Sequence, residues 1–211
     1  MRLETLCAAA LLPPLGTVGI LLCGDLHAWA DKRGGSGDVR GVWKAFARRC
    51  AFVAGVAGNH DKFGESPRDL AKFRQERAVH FLDGDCAEVA GARIAGISGV
   101  IGNPRRPFRR DEPAFVDAVA RLCALRPDFL LMHDGQDVPT LNLKGNPAVR
   151  VVLEKAGPEL VIRGHAHWDP PLVELAGGTQ VLNVDSRVVL LTQEEPPPSD
   201  RRGGAGPALQ Q

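Results

Sequence analysis

The chain is expected to fold as an α/β protein of stacked sheets covered by helices. Three observations in its 211 residues point there. Apolar runs of strand length alternate with amphipathic stretches of helical spacing. The last part of the chain is richer in short strands than in helices. Four of the apolar runs also end in polar, ligand-capable clusters, and α/β sheets gather their sites at the carboxyl ends of their strands.

Residues 3–12 have helical spacing and stop at Pro13-Pro14. The same apolar run behind Arg2 invites a leader reading, but Glu4 and the proline pair fit a leader poorly. "VGILLCGDL" (18–26) reads as a buried strand, "VRGVWKAFARR" (39–49) as a helix, and "CAFVAGVAG" (50–58) as a second buried strand. "SPRDLAKFRQE" (66–76) opens with Ser-Pro, a good helix start. "CAEVAGARIAGISG" (86–99) reads as a hairpin around Gly91. "DEPAFVDAVARLCAL" (111–125) is amphipathic and acidic at its start, as a helix N-terminus prefers. "DFLLMHDG" (128–135) is a strand running into a polar end, and "NPAVRVVLEKAG" (146–157) a helix closed by glycine. "ELVIRGHAHW" (159–168) is another strand with a polar end, and 171–193 reads as three short strands. From Glu194 the composition turns to Pro, Gly and charge, so 1–193 is expected to be one domain and 194–211 a disordered tail.

Composition excludes several classes. A hydrophobic fraction of 44% and a charged fraction of 24% are ordinary for a globular domain. The formal net charge is +1, which argues against a nucleic-acid or membrane-surface partner. No apolar stretch has the length of a membrane span. The five cysteines are dispersed and form no CxxC pair, which predicts reduced thiols and a cytoplasmic location.

The four strand-end clusters are Gly24-Asp25, Gly58-Asn59-His60-Asp61, His133-Asp134-Gly135 and Gly164-His165-Ala166-His167. Each alone is a common turn. Together they bring oxygen and imidazole donors, the ligand types of Mn, Fe and Zn sites, to one topological place. The i, i+2 spacing of His165 and His167 puts both on one side of an extended backbone.

In this order, the GD, GNHD, lone His and GHAH motifs resemble those of calcineurin-like metallophosphoesterases over roughly residues 15–192. The resemblance implies a four-layer αββα sandwich and hydrolysis of phosphomonoesters or phosphodiesters. The attacking hydroxide would be activated by two divalent metal ions of Mn, Fe or Zn type. It implies that Asp25 bridges the two metals, that Asn59, His133 and His165 bind the second, and that His167 binds the first. It also implies that His60 acts on the substrate phosphate or leaving oxygen while Asp61 hydrogen-bonds its ring.

One part of the pattern is absent. The family's first motif, Asp-x-His after a first strand, should precede GD by a few tens of residues. The expectation is therefore that this strand lies upstream of Met1. The chain as given would then hold only the second metal firmly, through Asp25, Asn59, His133 and His165. The rival reading takes Asp25 and His27 as Asp-x-His and Gly37-Asp38 as GD. It is weaker, because "KRGGS" is not an apolar strand. An incomplete site also leaves open a non-catalytic binding or scaffold protein on the same fold. The arginine-rich "NPRRPFRR" (103–110) reads as a solvated loop, or as a clamp for substrate phosphate.

Overall fold

The computed structural model describes residues 3–27 and 35–192. In chain order the elements are α1 (Leu3–Ala8), β1 (Gly19–Cys23), β2 (Gly37–Asp38), α2 (Arg40–Ala47), β3 (Phe52–Val56), β4 (Asp61–Lys62), α3 (Pro67–Phe73), β5 (Val79–Phe81), β6 (Asp85–Val89), β7 (Ala92–Ile97), β8 (Val100–Ile101), β9 (Arg109–Arg110), α4 (Glu112–Ala124), β10 (Phe129–Met132), α5 (Pro147–Ala156), β11 (Leu160–Arg163), β12 (Leu172–Glu174) and β13 (Gln180–Asn183). A three-stranded parallel sheet has the order β1-β3-β5. A six-stranded sheet has the order β12-β13-β11-β10-β7-β6, with antiparallel pairs only at its two edges.

Strand alternation sorts the core into layers. Cys23, Ala54, Val56, Ile94, Leu131 and Ile162 share one cluster between the two sheets. Their strand neighbours point the other way. Leu22 and Val53 join Trp43 of α2 and Phe73 of α3 on the outer face of the small sheet. Leu130, Met132 and Val161 join Phe115 of α4 and Leu153 of α5 on the outer face of the large sheet. A side-chain period of two gives each strand one residue for each layer, and the result is the αββα sandwich. Trp43 is fully buried and meets Phe63 and Phe73 edge-on, with centroids 6.0 and 5.6 Å away. Such ring pairs add about 0.5–1.5 kcal/mol each beyond their buried area.

The helix starts are chemically specified. Ser66 and Asp69 form a reciprocal capping box on α3. Asp111 accepts from the Ala114 N–H on α4, and Asn146 accepts from the Val149 N–H on α5.

The structure departs from the sequence reading in several places. α1 ends at Ala8 rather than residue 12, because Ala10 turns left-handed and the N–H groups of Leu11 and Leu12 close back on Leu6 O. The segment 171–193 yields two strands, not three. Residues 188–191 are apolar but exposed, Val188 at 87%. An apolar run makes a strand only where a sheet edge receives it, and the edge of the large sheet is β12, with no partner strand from residues 188–191. β5 and the two-residue ribbons β2–β4 and β8–β9 carried no clear sequence signal. β1 lies at one edge of the small sheet. The tail expected from Glu194 lies outside the described residues.

Candidate metal centre

β1, β3, β10 and β11 all deliver their polar ends to one point above the sandwich. Ligand atoms of Asp25, His133 and His165 lie within 4.8 Å of one another. The Nε2 of His133 is 3.3 Å from Asp25 Oδ2 and 3.3 Å from Asn59 Oδ1. The rings of His133 and His165 are tilted against each other with centroids 4.9 Å apart. His133 is buried, Asp25 half-buried and His165 exposed, so the site opens to solvent on the His165 side.

Backbone geometry explains why glycines precede these ligands. A Cβ on Gly24 would sit 2.3 Å from Gly58 N, and one on Gly58 would sit 2.0 Å from Asp25 Oδ1. The two strand ends touch backbone to backbone, and only glycine permits that. Asp25 and His165 themselves take left-handed φ values of 52° and 66°. Non-glycine residues adopt that region at some cost, and such strain gathers at functional sites.

The donor set fits a divalent cation. His133 Nδ1–H donates to the Cys23 carbonyl at 2.7 Å, which leaves the Nε2 lone pair facing Asp25 and Asn59. Lone pairs converging at these distances need a positive charge among them, from a proton or a metal. Burial pushes the Asp25 carboxyl up, but the bond and charge of His133 outweigh it and hold it below the ordinary carboxylate value. Burial likewise opposes a charged His133, yet the bond and charge of Asp25 raise it above an ordinary histidine. His165 moves the other way, lowered by burial and then by the charge of His133.

One sequence expectation changes here. Asp61 does not hold the His60 ring. It is buried, and its carboxylate accepts from the N–H groups of Asp25 (2.9 Å), Leu26 (2.9 Å) and Gly58 (2.8 Å). Backbone donors at two strand ends reach it first, and the His60 Nδ1 instead meets Ser36 Oγ at 3.2 Å. His60 stays beside the site through its own N–H, which donates to Asp25 Oδ1 at 2.9 Å. His167 stands outside the three-residue group and points its Nδ1 at Asp185 Oδ2, 3.2 Å away. The backbone is left-handed at His165, so the extended geometry assumed for the i, i+2 pair is not the one present.

The rival motif assignment also meets the geometry. Asp38 is bound by the Arg40 guanidinium and lies outside the metal group, while the His27 ring packs over Gly37.

Other site residues escaped the sequence reading. Arg163 is fully buried, donates to the carbonyls of Gln136, Lys144 and Gly164, and lies 4.8 Å over the Trp168 ring. Burial lowers its pKa to about 10. The arginine ending "ELVIR" was its only signal. Asn183 Nδ2 donates to Ala166 O at 2.8 Å and so fixes the turn between His165 and His167.

Known proteins share this fold. A profile of the calcineurin-like phosphoesterases matches residues 6–169. The crystal structure of TT1561 of Thermus thermophilus superposes with a TM-score of 0.58 at 20% identity, covering 86% of this chain and 80% of that one. Phosphopantetheinyl hydrolase (PptH) from Mycobacterium tuberculosis superposes with a TM-score of 0.53 at 14% identity, covering 82% of this chain and 80% of that one. At such identities the likeness shows the fold alone. No curated protein matches the chain. The profile match spans more than half of the sequence, and with it the chain belongs to the calcineurin-like phosphoesterase family.

Proposed function

We propose that this chain is a metal-dependent phosphoesterase in which Asp25, Asn59, His133 and His165 hold a divalent cation. The observation that carries this reading is the convergence of Asp25, His133 and His165 ligand atoms within 4.8 Å, with His133 pre-oriented by the Cys23 carbonyl. When bound, divalent cations supply Lewis acidity toward a phosphoryl oxygen and acidify water at neutral pH. The protein supplies the rest. Asp25 and Asn59 offer oxygens, and His133 and His165 offer imidazole nitrogens. His60 contributes the proton. Ser36 Oγ lies 3.2 Å from Nδ1, and in the tautomer in which that hydroxyl donates, Nε2 carries the proton that would go to the leaving alkoxide. In the finer form of the proposal Asp25 and His167, the latter released from Asp185, would hold a second ion.

The test is turnover of p-nitrophenyl phosphate and bis(p-nitrophenyl) phosphate by the full chain with and without Mn²⁺. Metal-stimulated release of nitrophenol is expected. His60→Gln should lower the rate about 10²–10⁴-fold while metal binding persists. Elemental analysis of the loaded chain separates one ion from two. A folded, metal-loaded chain that turns over neither ester sinks the proposal. One observation favours the alternative, a non-catalytic binding protein. His167 is engaged by Asp185, so the described residues bring together ligands for one ion only.

A further inference from the structure

Residues 102–110 form a loop closed on itself. Val100 N–H donates to Phe108 O at 3.0 Å, and Gly102 N–H to Arg110 O at 2.7 Å. The loop grows from the same end of the sandwich as the metal ligands. Gly99 N–H donates to Ala57 O at 2.8 Å, two residues before Asn59, and Asp134 N–H donates to Gly99 O at 3.2 Å, one residue after His133. Its return limb is pinned twice. Phe108 packs on Phe63, just beyond Asp61, with centroids 5.8 Å apart. Arg110 donates to Asp83 at 2.7 Å and to Ser98 O at 3.0 Å.

Arg110 is therefore structural. Of the other three, only Arg109 makes a side-chain bond, to the Pro107 carbonyl within the loop at 3.3 Å. Arg105 and Arg106 are exposed and Arg109 half-buried, and none of the three forms an ion pair among the described residues. The acids that follow in sequence are engaged elsewhere, Asp111 capping Ala114 N–H and Glu112 accepting from Asn146. An anchored loop at the rim of a metal site thus presents three guanidinium groups without a counter-charge. Guanidinium forks match phosphate oxygens in shape and charge. Three within one short loop suit one compact anion. They do not form the long basic stripe that nucleic acid needs, and the net charge is only +1.

We propose that Arg105, Arg106 and Arg109 recognise a second phosphate on the substrate, remote from the ester at the metal centre. The substrate class is then a small phosphate ester with two separate phosphates. This deepens the phosphoesterase reading and rests on it for the identity of the first site.

The test is calorimetric binding of adenosine 3′,5′-bisphosphate and adenosine 5′-monophosphate to the Mn²⁺-loaded full chain. The bisphosphate should bind at least about tenfold more tightly, the scale of one charge-assisted hydrogen bond. In the triple variant Arg105→Ala, Arg106→Ala, Arg109→Ala that ratio should fall to about one. Equal affinities in the unaltered chain, a ratio that survives in the variant, or binding of neither nucleotide would each overturn the inference. The arginines would then serve another anion, such as an acidic protein. Turnover of the same nucleotides is read separately. A chain that binds with the expected ratio but hydrolyses neither the nucleotides nor the two nitrophenyl esters loses the phosphoesterase reading and keeps only a second phosphate site at the three arginines.

Discussion

The two sheets meet at the metal centre, and each fastens its loops with one buried charged side chain of opposite sign. On the small sheet Asp61 gathers the N–H groups of Asp25, Leu26 and Gly58. On the large sheet Arg163 gathers the carbonyls of Gln136, Lys144 and Gly164. Asp61 sits inside the GNHD motif and Arg163 just before GHAH, each two residues from a candidate metal ligand. Both also carry the burden of burial. Asp61 is raised by burial, partly restrained by the Gly58 N–H and raised further by the charge of Asp25, and Arg163 is lowered to about 10. The difference lies in the partners. An N–H has one hydrogen to place, whereas a carbonyl has two lone pairs and is more often left under-satisfied. The acid is therefore harder to replace than the base.

Removing each fastener measures that difference. Asp61→Ala leaves three amide donors without their acceptor in a closed site. The expected cost is about 3–5 kcal/mol, at roughly 1–2 kcal/mol per donor. For a domain of this size that is a fall in Tm on the order of 10 °C. Arg163→Met keeps most of the volume against Trp168 and should cost only about 2–3 kcal/mol. Urea unfolding of the metal-free chain reads both. A larger loss for Arg163→Met than for Asp61→Ala would break the contrast between donors and acceptors.

The same division bears on the two candidate histidines of the large sheet that differ most. His133 is buried and held by a carbonyl, while His167 is exposed and held by a carboxylate. His133→Ala should weaken Mn²⁺ binding by roughly a hundredfold, the upper scale for disrupting a metal shell. His167→Ala should change the first binding event by no more than about threefold. Calorimetric titration checks both. Equal losses would bring His167 into the same ligand set as His133 and count against the one-ion arrangement.

Much of this was legible in the sequence, for reasons that particular residues make clear. Buried parallel strands such as "FLLM" and "LVIR" read as apolar runs, and their polar ends stood out by contrast. Gly24 and Gly58 were visible because close backbone approach admits no other residue. What was not legible is which partner a side chain takes. Asp61 sits next to His60 in sequence, so pairing the two was natural. Three N–H groups from two strand ends reach it instead, and only the tertiary fold brings them there. His167 likewise meets Asp185, a partner that lies outside the GHAH motif and is brought there by the fold. Residues 188–191 looked like a strand because an apolar run reports only a side chain's preference, and not whether a sheet edge is available to pair with.

The smallest effect separates His133 from His165 by pH. Burial lowers His133, but the bond and charge of Asp25 outweigh it, so its net shift is upward. His165 is lowered by burial and by the charge of His133. A metal needs both rings neutral. As pH falls from 8, His133 takes up its proton first, above the ordinary histidine value, and His165 follows only below it. Between those two titrations the metal displaces one proton, so affinity should fall about tenfold per pH unit. Loss of two protons per ion would give about a hundredfold per unit. Mn²⁺ titrations at half-unit steps from pH 8 to about 5.5, repeated in buffers of different ionisation heat, count the protons directly. A stretch of slope one before the slope steepens keeps the asymmetry between the ring tied to Asp25 and the ring beside it. A slope of two throughout would mean that both histidines hold protons together, and that the Cys23 carbonyl and Asp25 do not set His133 apart.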